Sequence, residues 1–189
     1  AVQALINVYD VDVLLGTVCS AAAGPALPVA AAEGIPTIMF TASAPDLTSL
    51  GDNIFRVYPS DSLQGVAAAE YIVGKKGYEN IAIVYAKNDW GEGLSEVFKE
   101  NAEALGANIV YETGVLEDEV DFKTELTKLQ SKDIDVLYLL LHPNGGVAFF
   151  KQMEEQGFDI PVYGGDSFSG AETIESGYGD GVIFSVGKG

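Results

Sequence analysis

The sequence is poor in cysteine, histidine and basic residues. One cysteine and one histidine occur in 189 residues, so no internal disulfide can form and no Cys/His cluster can bind a metal ion. Lys and Arg number 10 against 28 Asp and Glu, a net charge of −18, which disfavours nucleic acid and anionic membranes as partners. No apolar run is long enough to span a bilayer, and no signal peptide or lipidation motif is present.

Both ends of the chain are typical of the middle of a fold. AVQALINVYDVDVLLG at the start indicates the last turns of a helix that leads into a strand, and GVIFSVGKG at the end indicates a further strand. We therefore expect a fragment cut from a longer protein. On that interpretation the missing targeting signal carries no weight for the location of the protein.

One pattern recurs along the chain: a helix, a glycine, a short gap and an apolar strand. It occurs at Gly34, Gly77, Gly106 and Gly157. Each of these glycines fits the left-handed position that follows a helix end. The segments Ile81–Tyr85, Asn108–Tyr111 and Ile134–Leu141 are nearly continuous apolar runs, as expected of parallel strands buried on both faces. The alternation predicts an α/β fold built on doubly wound parallel sheets.

The stretch 12–48 predicts a strand, a helix, a second strand and a loop of small residues. Ser20 stands where the helix should start, and Thr41, Ala42 and Ser43 form the loop after the second strand. In a parallel sheet both would lie at the edge where open α/β sheets bind ligands. The free amides and positive dipole end of a helix bind carboxylates or phosphates. The alternative is that Ser20 merely caps its own helix.

Three more residues occupy places where a chain enters a helix. Trp90 lies in the loop DWGEG after a predicted strand, and Asp166 lies in VYGGDSFSG after another. Asp61 begins the helix predicted over 61–75. Ser20 and the helix amides would hold a carboxylate, Asp166 would hold an ammonium group, and Trp90 would supply apolar area. This joint placement predicts a zwitterionic ligand.

Catalysis has little support in the sequence. Cys19 and Ser20 follow a strand and precede a helix, as in a nucleophile elbow, but the pattern G-x-S-x-G is absent. His142, the sole histidine, lies at a strand end beside Pro143, and nothing in the sequence places it near Ser20. The loop DWGEG matches neither glycine-rich phosphate-binding motif. We expect no catalytic residue, no cofactor and no metal site.

Several segments together resemble the type I periplasmic binding proteins. They are GTVCSAAAGPALPVAAAEGIPTIMFTASAPDLT, FRVYPSDSLQG, IAIVYAKNDWGEGLSEVFKENAEALGANIV, DFKTELTKLQSKDIDVLYL and PVYGGDSF. The branch is that of the leucine/isoleucine/valine receptors of ABC importers, and the resemblance covers the whole chain as the middle half of a family member. It implies two Rossmann-like lobes joined by three crossovers. Lobe 1, which is incomplete, would comprise 1–57 with 185–189 returning to it, and lobe 2 would comprise 58–184.

The resemblance also implies roles for the candidate residues. The serine that matches Ser20 holds the ligand carboxylate, and the loop that matches Thr41, Ala42 and Ser43 contacts the carboxylate and amino groups. The residue that matches Asp61 lies beside the ligand, Trp90 matches a covering aromatic, and Asp166 matches an acid that takes the ammonium group. The chain departs from the family at Trp90, where tyrosine is common, at Leu141 (beside His142), where a second tyrosine is common, and at Asp166, which replaces a glutamate. Cys19, Leu141 and His142 form a second tier of candidates.

The expected function is that of a non-catalytic receptor that delivers an aliphatic or small amino acid to an ABC permease in the membrane. Such a receptor is periplasmic or extracellular, with or without a lipid anchor. A ligand-sensing domain or amide-responsive regulator with the same lobes is the alternative, and a hydrolase using Ser20 or Cys19 is a third class. The acidic charge argues against a DNA-binding repressor core. The incomplete first lobe predicts self-association of the fragment.

Overall fold

The computed structural model describes residues 1–186, which form two parallel sheets with helices packed against them. The strands are β1 (Leu14–Leu15), β2 (Thr37–Met39), β3 (Ile54–Arg56), β4 (Asn80–Ala86), β5 (Asn108–Val115), β6 (Val136–Leu140), β7 (Val162–Gly164) and β8 (Ile183–Phe184). The helices are α1 (Val2–Asn7), α2 (Ser20–Ala32), α3 (Asp61–Ala69), α4 (Asp89–Ala104), α5 (Lys123–Gln130), α6 (Pro143–Glu155) and α7 (Ala171–Glu175). This confirms the α/β class with parallel sheets.

The first sheet has three strands in the order β1-β2-β3 and is covered on one face. Helix α2 packs there through Ala23 and Leu27, against the buried side chains of Met39 and Ile54. The opposite face carries side chains that align across the strands, because Leu15 pairs with Ile38 and Ile38 pairs with Phe55. Parallel sheets are normally covered on both faces, so this bare apolar face is unusual.

The second sheet has five strands in the order β5-β4-β6-β7-β8. The chain moves from β4 to one side for β5 and then to the other side for β6, so the strand order reverses between β4 and β6. Apolar clusters fill both faces: Phe98 of α4 packs on Tyr138 at a ring distance of 4.0 Å on one face, and Phe122 packs on Phe149 at 5.1 Å on the other. Ligands of open α/β sheets bind outside the carboxyl ends of the strands at such a reversal.

The glycine pattern is confirmed. The four glycines adopt φ angles of 68° (Gly34), 76° (Gly77), 95° (Gly106) and 62° (Gly157). A residue with a Cβ is strained in this left-handed region, so glycine allows each helix to stop and the chain to turn into the next strand.

Several predicted boundaries were wrong by one to four residues. Strand β3 follows the two strands predicted in the stretch 12–48, so the first sheet has three strands rather than two. The helix predicted over 61–75 has that extent, but its last part, Glu70–Lys75, is π-helical. Strand β5 continues to Val115, beyond the predicted end. The expected return of the chain to lobe 1 falls mainly on residues 187–189, outside the described residues.

No helix in residues 1–186 is long and apolar enough to cross a bilayer.

Candidate ligand-binding site

Ser20 is the first residue of α2, and its side chain binds the neighbouring loop. Cys19, not Ser20, is the N-cap residue, so the alternative that Ser20 merely caps its own helix was wrong. The Ser20 Oγ is buried and accepts hydrogen bonds from the amides of Ser43 at 3.3 Å and Ala44 at 3.1 Å. Two amides use the oxygen as an acceptor, while the hydroxyl proton can still be donated. Ser20 therefore joins the start of α2 to the loop after β2.

The other candidate residues near the start of α2 and in the loop after β2 differ in exposure. Thr41 is exposed, and its Oγ1 donates a hydrogen bond to the carbonyl oxygen of Val18 at 2.6 Å. Ala42 is buried among the apolar residues under the first sheet, so only its backbone can reach a ligand. Cys19 is exposed at the N-terminus of α2. This side of the candidate site thus offers a helix start, the hydroxyls of Ser20 and Thr41, and a tightly held loop.

Asp61 begins α3, and Ser60 caps this helix by accepting a hydrogen bond from the amide of Ser62 at 3.3 Å. The Asp61 carboxyl is 1% exposed, and its backbone amide donates to the carbonyl oxygen of Ser43 at 3.0 Å. Burial raises the pKa of Asp61 to about 7; a hydrogen bond from Ser43 opposes the shift and the charge of Asp166 adds to it. Near neutral pH this carboxyl therefore exists in both protonation states.

Arg56 supports the same loop from β3 and was missed by the sequence analysis. Its Nη1 donates hydrogen bonds to the carbonyl oxygens of Ser43 at 3.0 Å and Ala44 at 2.7 Å. Its charge also favours the ionised form of Asp61. The loop is therefore held from two sides, by Ser20 at its amides and by Arg56 at its carbonyls.

Asp61 and Asp166 are joined by the side-chain amide of Gln64. The Gln64 nitrogen donates to Asp61 Oδ1 at 3.2 Å, and its oxygen accepts from the Asp166 amide at 2.9 Å and from Ser185 Oγ at 2.8 Å. Asp166 Oδ2 accepts a further hydrogen bond from the Tyr58 hydroxyl at 3.2 Å. We call Tyr58, Asp61, Gln64, Asp166 and Ser185 the acidic network. It places two carboxyl groups on one connected set of hydrogen bonds.

Trp90 and His142 form a stacked pair beside this network. Their ring centroids are 5.1 Å apart with an interplanar angle of 27°. Trp90 lies in the first turn of α4, not in the loop predicted for it, and is 8% exposed. A Cβ added at Gly165 would lie 3.2 Å from Trp90 Cζ2, so glycine gives the indole room next to Asp166. The Trp90–His142 pair therefore lies at the edge of the second sheet where Asp166 is found.

His142 is held in place by polar neighbours at the start of α6. Its Nε2 lies 3.1 Å from Asn88 Nδ2 and 3.1 Å from Glu117 Oε1. Asn88 also caps α4 by accepting from the Gly91 amide at 2.9 Å. Leu141, in contrast, is 2% exposed and packs in the core below. Of these two second-tier candidates, only His142 joins the group around Trp90.

The two sheets approach each other through their first helices. A Cβ added at Gly24 of α2 would lie 2.6 Å from Asp89 Oδ2, and one at Gly93 of α4 would lie 2.9 Å from Pro45 Cδ. The start of α2 and the loop after β2 therefore lie close to the first turns of α4. Ser20, Thr41 and Ser43 come from one side, and Trp90, His142 and Asp166 come from the other.

Comparison with known proteins decides the family. Residues 1–187 match the family described as periplasmic binding protein. The chain belongs to this family. A Leu/Ile/Val-binding protein of Citrobacter freundii is 38% identical over 126 residues, which are 66% of this chain and 34% of that protein.

Solved structures of solute-binding proteins show the same fold. The branched-chain amino acid transporter substrate binding protein LivJ from Streptococcus pneumoniae, in complex with isoleucine, matches with a TM-score of 0.83 and 25% identity, covering 97% of this chain and 53% of that chain. A solute binding protein of an ABC transporter from R. palustris, in complex with benzoate, matches with a TM-score of 0.84 and 26% identity, covering 93% and 49%. The chain thus spans about half of these proteins, and a third of the Citrobacter relative.

Four polar residues around the site were not among the sequence-based candidates: Arg56, Tyr58, Gln64 and Ser185. Tyr58 and Gln64 stand three residues before and three after Asp61. Residues three apart share a helix face, so Gln64 could have been found from its spacing to Asp61. Ser185 carries no such signal, because its approach depends on how the chain leaves β8.

Proposed function

We propose that the protein is an extracytoplasmic solute receptor of an ABC importer that binds an aliphatic or small amino acid between its two sheets. The observation that carries this proposal is the acidic network, whose Asp61 is bonded through its backbone amide to Ser43, in the loop that Ser20 holds. A positive helix end and two carboxyl groups form a matched pair of subsites for a carboxylate and an ammonium group. The isoleucine complex of LivJ supports the ligand class.

Each side of the candidate site has a defined part in this proposal. The free amides at the start of α2 and the Ser20 hydroxyl proton receive the ligand carboxylate, and the Thr41 hydroxyl joins them by exchanging its bond to the Val18 carbonyl for one to the ligand. Asp166 and Asp61 receive the ammonium group. Trp90 covers the apolar side chain, since a large flat aromatic excludes water from it.

The choice of an amino acid over an aromatic acid rests on charge. The R. palustris structure contains benzoate, which has a carboxylate and no amino group. Asp61 and Asp166 would repel a second anion and attract a cation. An ammonium-bearing ligand therefore fits this chain better than benzoate does.

The proposed partner is the membrane permease of the importer, to which the receptor would deliver its ligand. The proposed location is the periplasm or the extracellular face, with a lipid anchor as one form of attachment. The acidic surface is consistent with a protein that does not itself bind anionic lipid.

Calorimetry of the protein at its natural length tests this function. Leucine, isoleucine, valine and alanine are titrated beside 4-methylpentanoate, which is leucine without its amino group, and benzoate. We expect at least one amino acid to bind and both plain acids to bind much more weakly. Equal binding of leucine and 4-methylpentanoate, or binding of benzoate alone, would overturn the proposal.

A further inference from the structure

We propose that Gln64 is a positioning residue that sets the preference of the site for a ligand ammonium group. It does so by donating a hydrogen bond to the carboxyl group of Asp61 and accepting one from the backbone amide of Asp166, which ties the two acidic residues together. This inference rests on the proposed amino-acid function. It assigns the selectivity to a neutral side chain that need not touch the ligand.

The orientation of the Gln64 amide follows from its neighbours. With the nitrogen toward Asp61 Oδ1, the amide makes three hydrogen bonds: to Asp61 at 3.2 Å, from the Asp166 amide at 2.9 Å and from Ser185 Oγ at 2.8 Å. The opposite orientation keeps only a bond from the nitrogen to Ser185 Oγ at 2.8 Å. Carboxylate oxygens accept and backbone amides donate, so the first orientation satisfies both partners.

The three partners come from three separate parts of the chain. Asp61 begins α3, Asp166 follows β7, and Ser185 follows β8. Gln64 is partly buried, and its amide also lies near Gly165, where an added Cβ would be 3.5 Å from Nε2. One side chain therefore fixes the relative positions of these three segments at the edge of the second sheet.

The neighbouring groups leave the acidic network in need of a cation. Asp61 Oδ2 is buried and has no hydrogen-bond partner among residues 1–186. The charge of Arg56 acts on Asp61, but its Nη1 donates its hydrogen bonds to the carbonyls of Ser43 and Ala44. The remaining groups near Asp61, the hydroxyls of Tyr58, Ser43 and Tyr138, are neutral. A buried carboxylate oxygen without a partner is stabilised most by a positive group, and a ligand ammonium supplies one.

Gln64 contributes geometry without neutralising that charge. Two carboxylates that approach each other repel and would turn apart if nothing held them. A lysine at this place would cancel one charge, whereas an amide donates one hydrogen bond and accepts two. Gln64 therefore fixes the Asp61 carboxyl relative to the Asp166 backbone without adding a positive charge, which leaves that charge to a ligand ammonium group.

The test compares Gln64→Met with Gln152→Met in the protein at its natural length. Methionine has a length similar to glutamine and cannot replace these hydrogen bonds. Gln152 is a structural amide: it accepts from the Phe122 amide at 2.8 Å and donates to the Val120 carbonyl at 2.7 Å, and it lies outside the acidic network. Loss of its bonds should lower stability without changing ligand preference. Thermal unfolding of both variants shows whether each is folded.

The measured quantity is the ratio of the Kd of 4-methylpentanoate to the Kd of leucine. We expect Gln64→Met to lower this ratio about tenfold, because a hydrogen bond to a charged group is lost, and Gln152→Met to leave it unchanged. An unchanged ratio in Gln64→Met, or equal weakening of both ligands, would overturn this inference. Asp166→Asn in the same series separates the outcomes: if it lowers the ratio while Gln64→Met does not, the proposed function stands and only the role of Gln64 fails.

Discussion

Trp90 and His142 stack 5.1 Å apart although 52 positions separate them in the sequence, because each follows one of the two strands at which the sheet order reverses. Trp90 comes after β4 and His142 comes after β6. These strands are neighbours in the sheet, so the residues that follow them meet at its carboxyl edge. The pair forms an aromatic surface next to Asp166, where a ligand side chain is expected to lie.

Trp90 should report ligand binding through its fluorescence. Trp90 is the one tryptophan of this chain, and it is 8% exposed in the described structure. In the proposed receptor, closure around a ligand would change the surroundings of the indole. We expect the emission assigned to Trp90, by comparison with Trp90→Leu, to change on saturation with the amino acid, and we expect Trp90→Leu to lower affinity. Unchanged emission with a ligand that calorimetry shows to bind would remove Trp90 from the site.

Ser20→Ala should weaken ligand binding and loosen the loop after β2. The change removes the acceptor of the Ser43 and Ala44 amides and the hydroxyl proton that we assign to the ligand carboxylate. We expect a loss of about 1.5–3 kcal/mol in binding free energy by calorimetry. Ser95→Ala is the matched control, since Ser95 is equally buried and its Oγ has no hydrogen-bond partner in the described part of the chain. The same affinity in Ser20→Ala and the native protein would contradict this role.

The stability of the protein should depend on the protonation of Asp61. Burial raises the pKa of Asp61 from 3.8 to about 7 in the folded state, so the folded chain holds this proton up to a higher pH than the unfolded chain does. The resulting stabilisation is fully present below pH 3.8 and is lost as the pH rises through about 7. Asparagine resembles the protonated acid and does not titrate.

Urea unfolding of Asp61→Asn and the native protein tests this dependence. The free energy of unfolding of the variant should exceed that of the native protein by an amount that is small below pH 3.8 and grows up to about pH 7. Asp46→Asn, at an exposed position, controls for the loss of one surface charge. A difference that stays constant with pH would show that the Asp61 carboxyl is ionised at the same pH in both states.

The sequence was sufficient for the fold class and for the placement of most site residues at sheet edges. The left-handed glycines and apolar strands depend on local backbone preference, which the residues themselves encode. The bonds of Ser20 to the loop after β2 could not be predicted, because a shift of one residue at a helix start decides whether a serine caps the helix or faces a neighbouring loop. Leu141 and His142 were treated alike, yet the first packs in the core and the second immediately precedes α6.

The sequence could not predict that Trp90 stacks on His142. Nor could it predict that the Gln64 amide joins Asp61 to Asp166. Both depend on which strands become neighbours, and strand order is set by long-range packing rather than by local pattern. The spacing of Gln64 from Asp61 offered a clue to a shared helix face. The sequence offered no clue to the contacts of Gln64 with Asp166 and Ser185, since those residues are over 100 positions away.

The bare face of the first sheet should cause this chain to self-associate. Leu15 is 73% and Phe55 is 54% exposed, and both flank Ile38 on the same face. Contiguous exposed apolar surface of this kind favours association with another protein surface. We expect light scattering of the 189-residue chain to show a mass that rises with concentration, and Phe55→Glu to suppress the rise.

The control for that experiment is Leu116→Glu, because Leu116 is 63% exposed but lies beyond β5 in the second sheet. This variant should associate as the native chain does. A monomer at every concentration would show that the exposed face is tolerated in water.

The most direct measurement of the central claim is the effect of Asp166→Asn on the binding of leucine and of 4-methylpentanoate. The change removes one negative charge of the acidic network and keeps the shape of the side chain. If the network holds an ammonium group, leucine should bind about tenfold or more weakly, the size of a lost charge-assisted hydrogen bond. The deaminated acid should bind equally well or better, because a repulsive neighbour is gone. Equal losses for both ligands would contradict the account, since Asp166 would then not distinguish an amino acid from a plain acid.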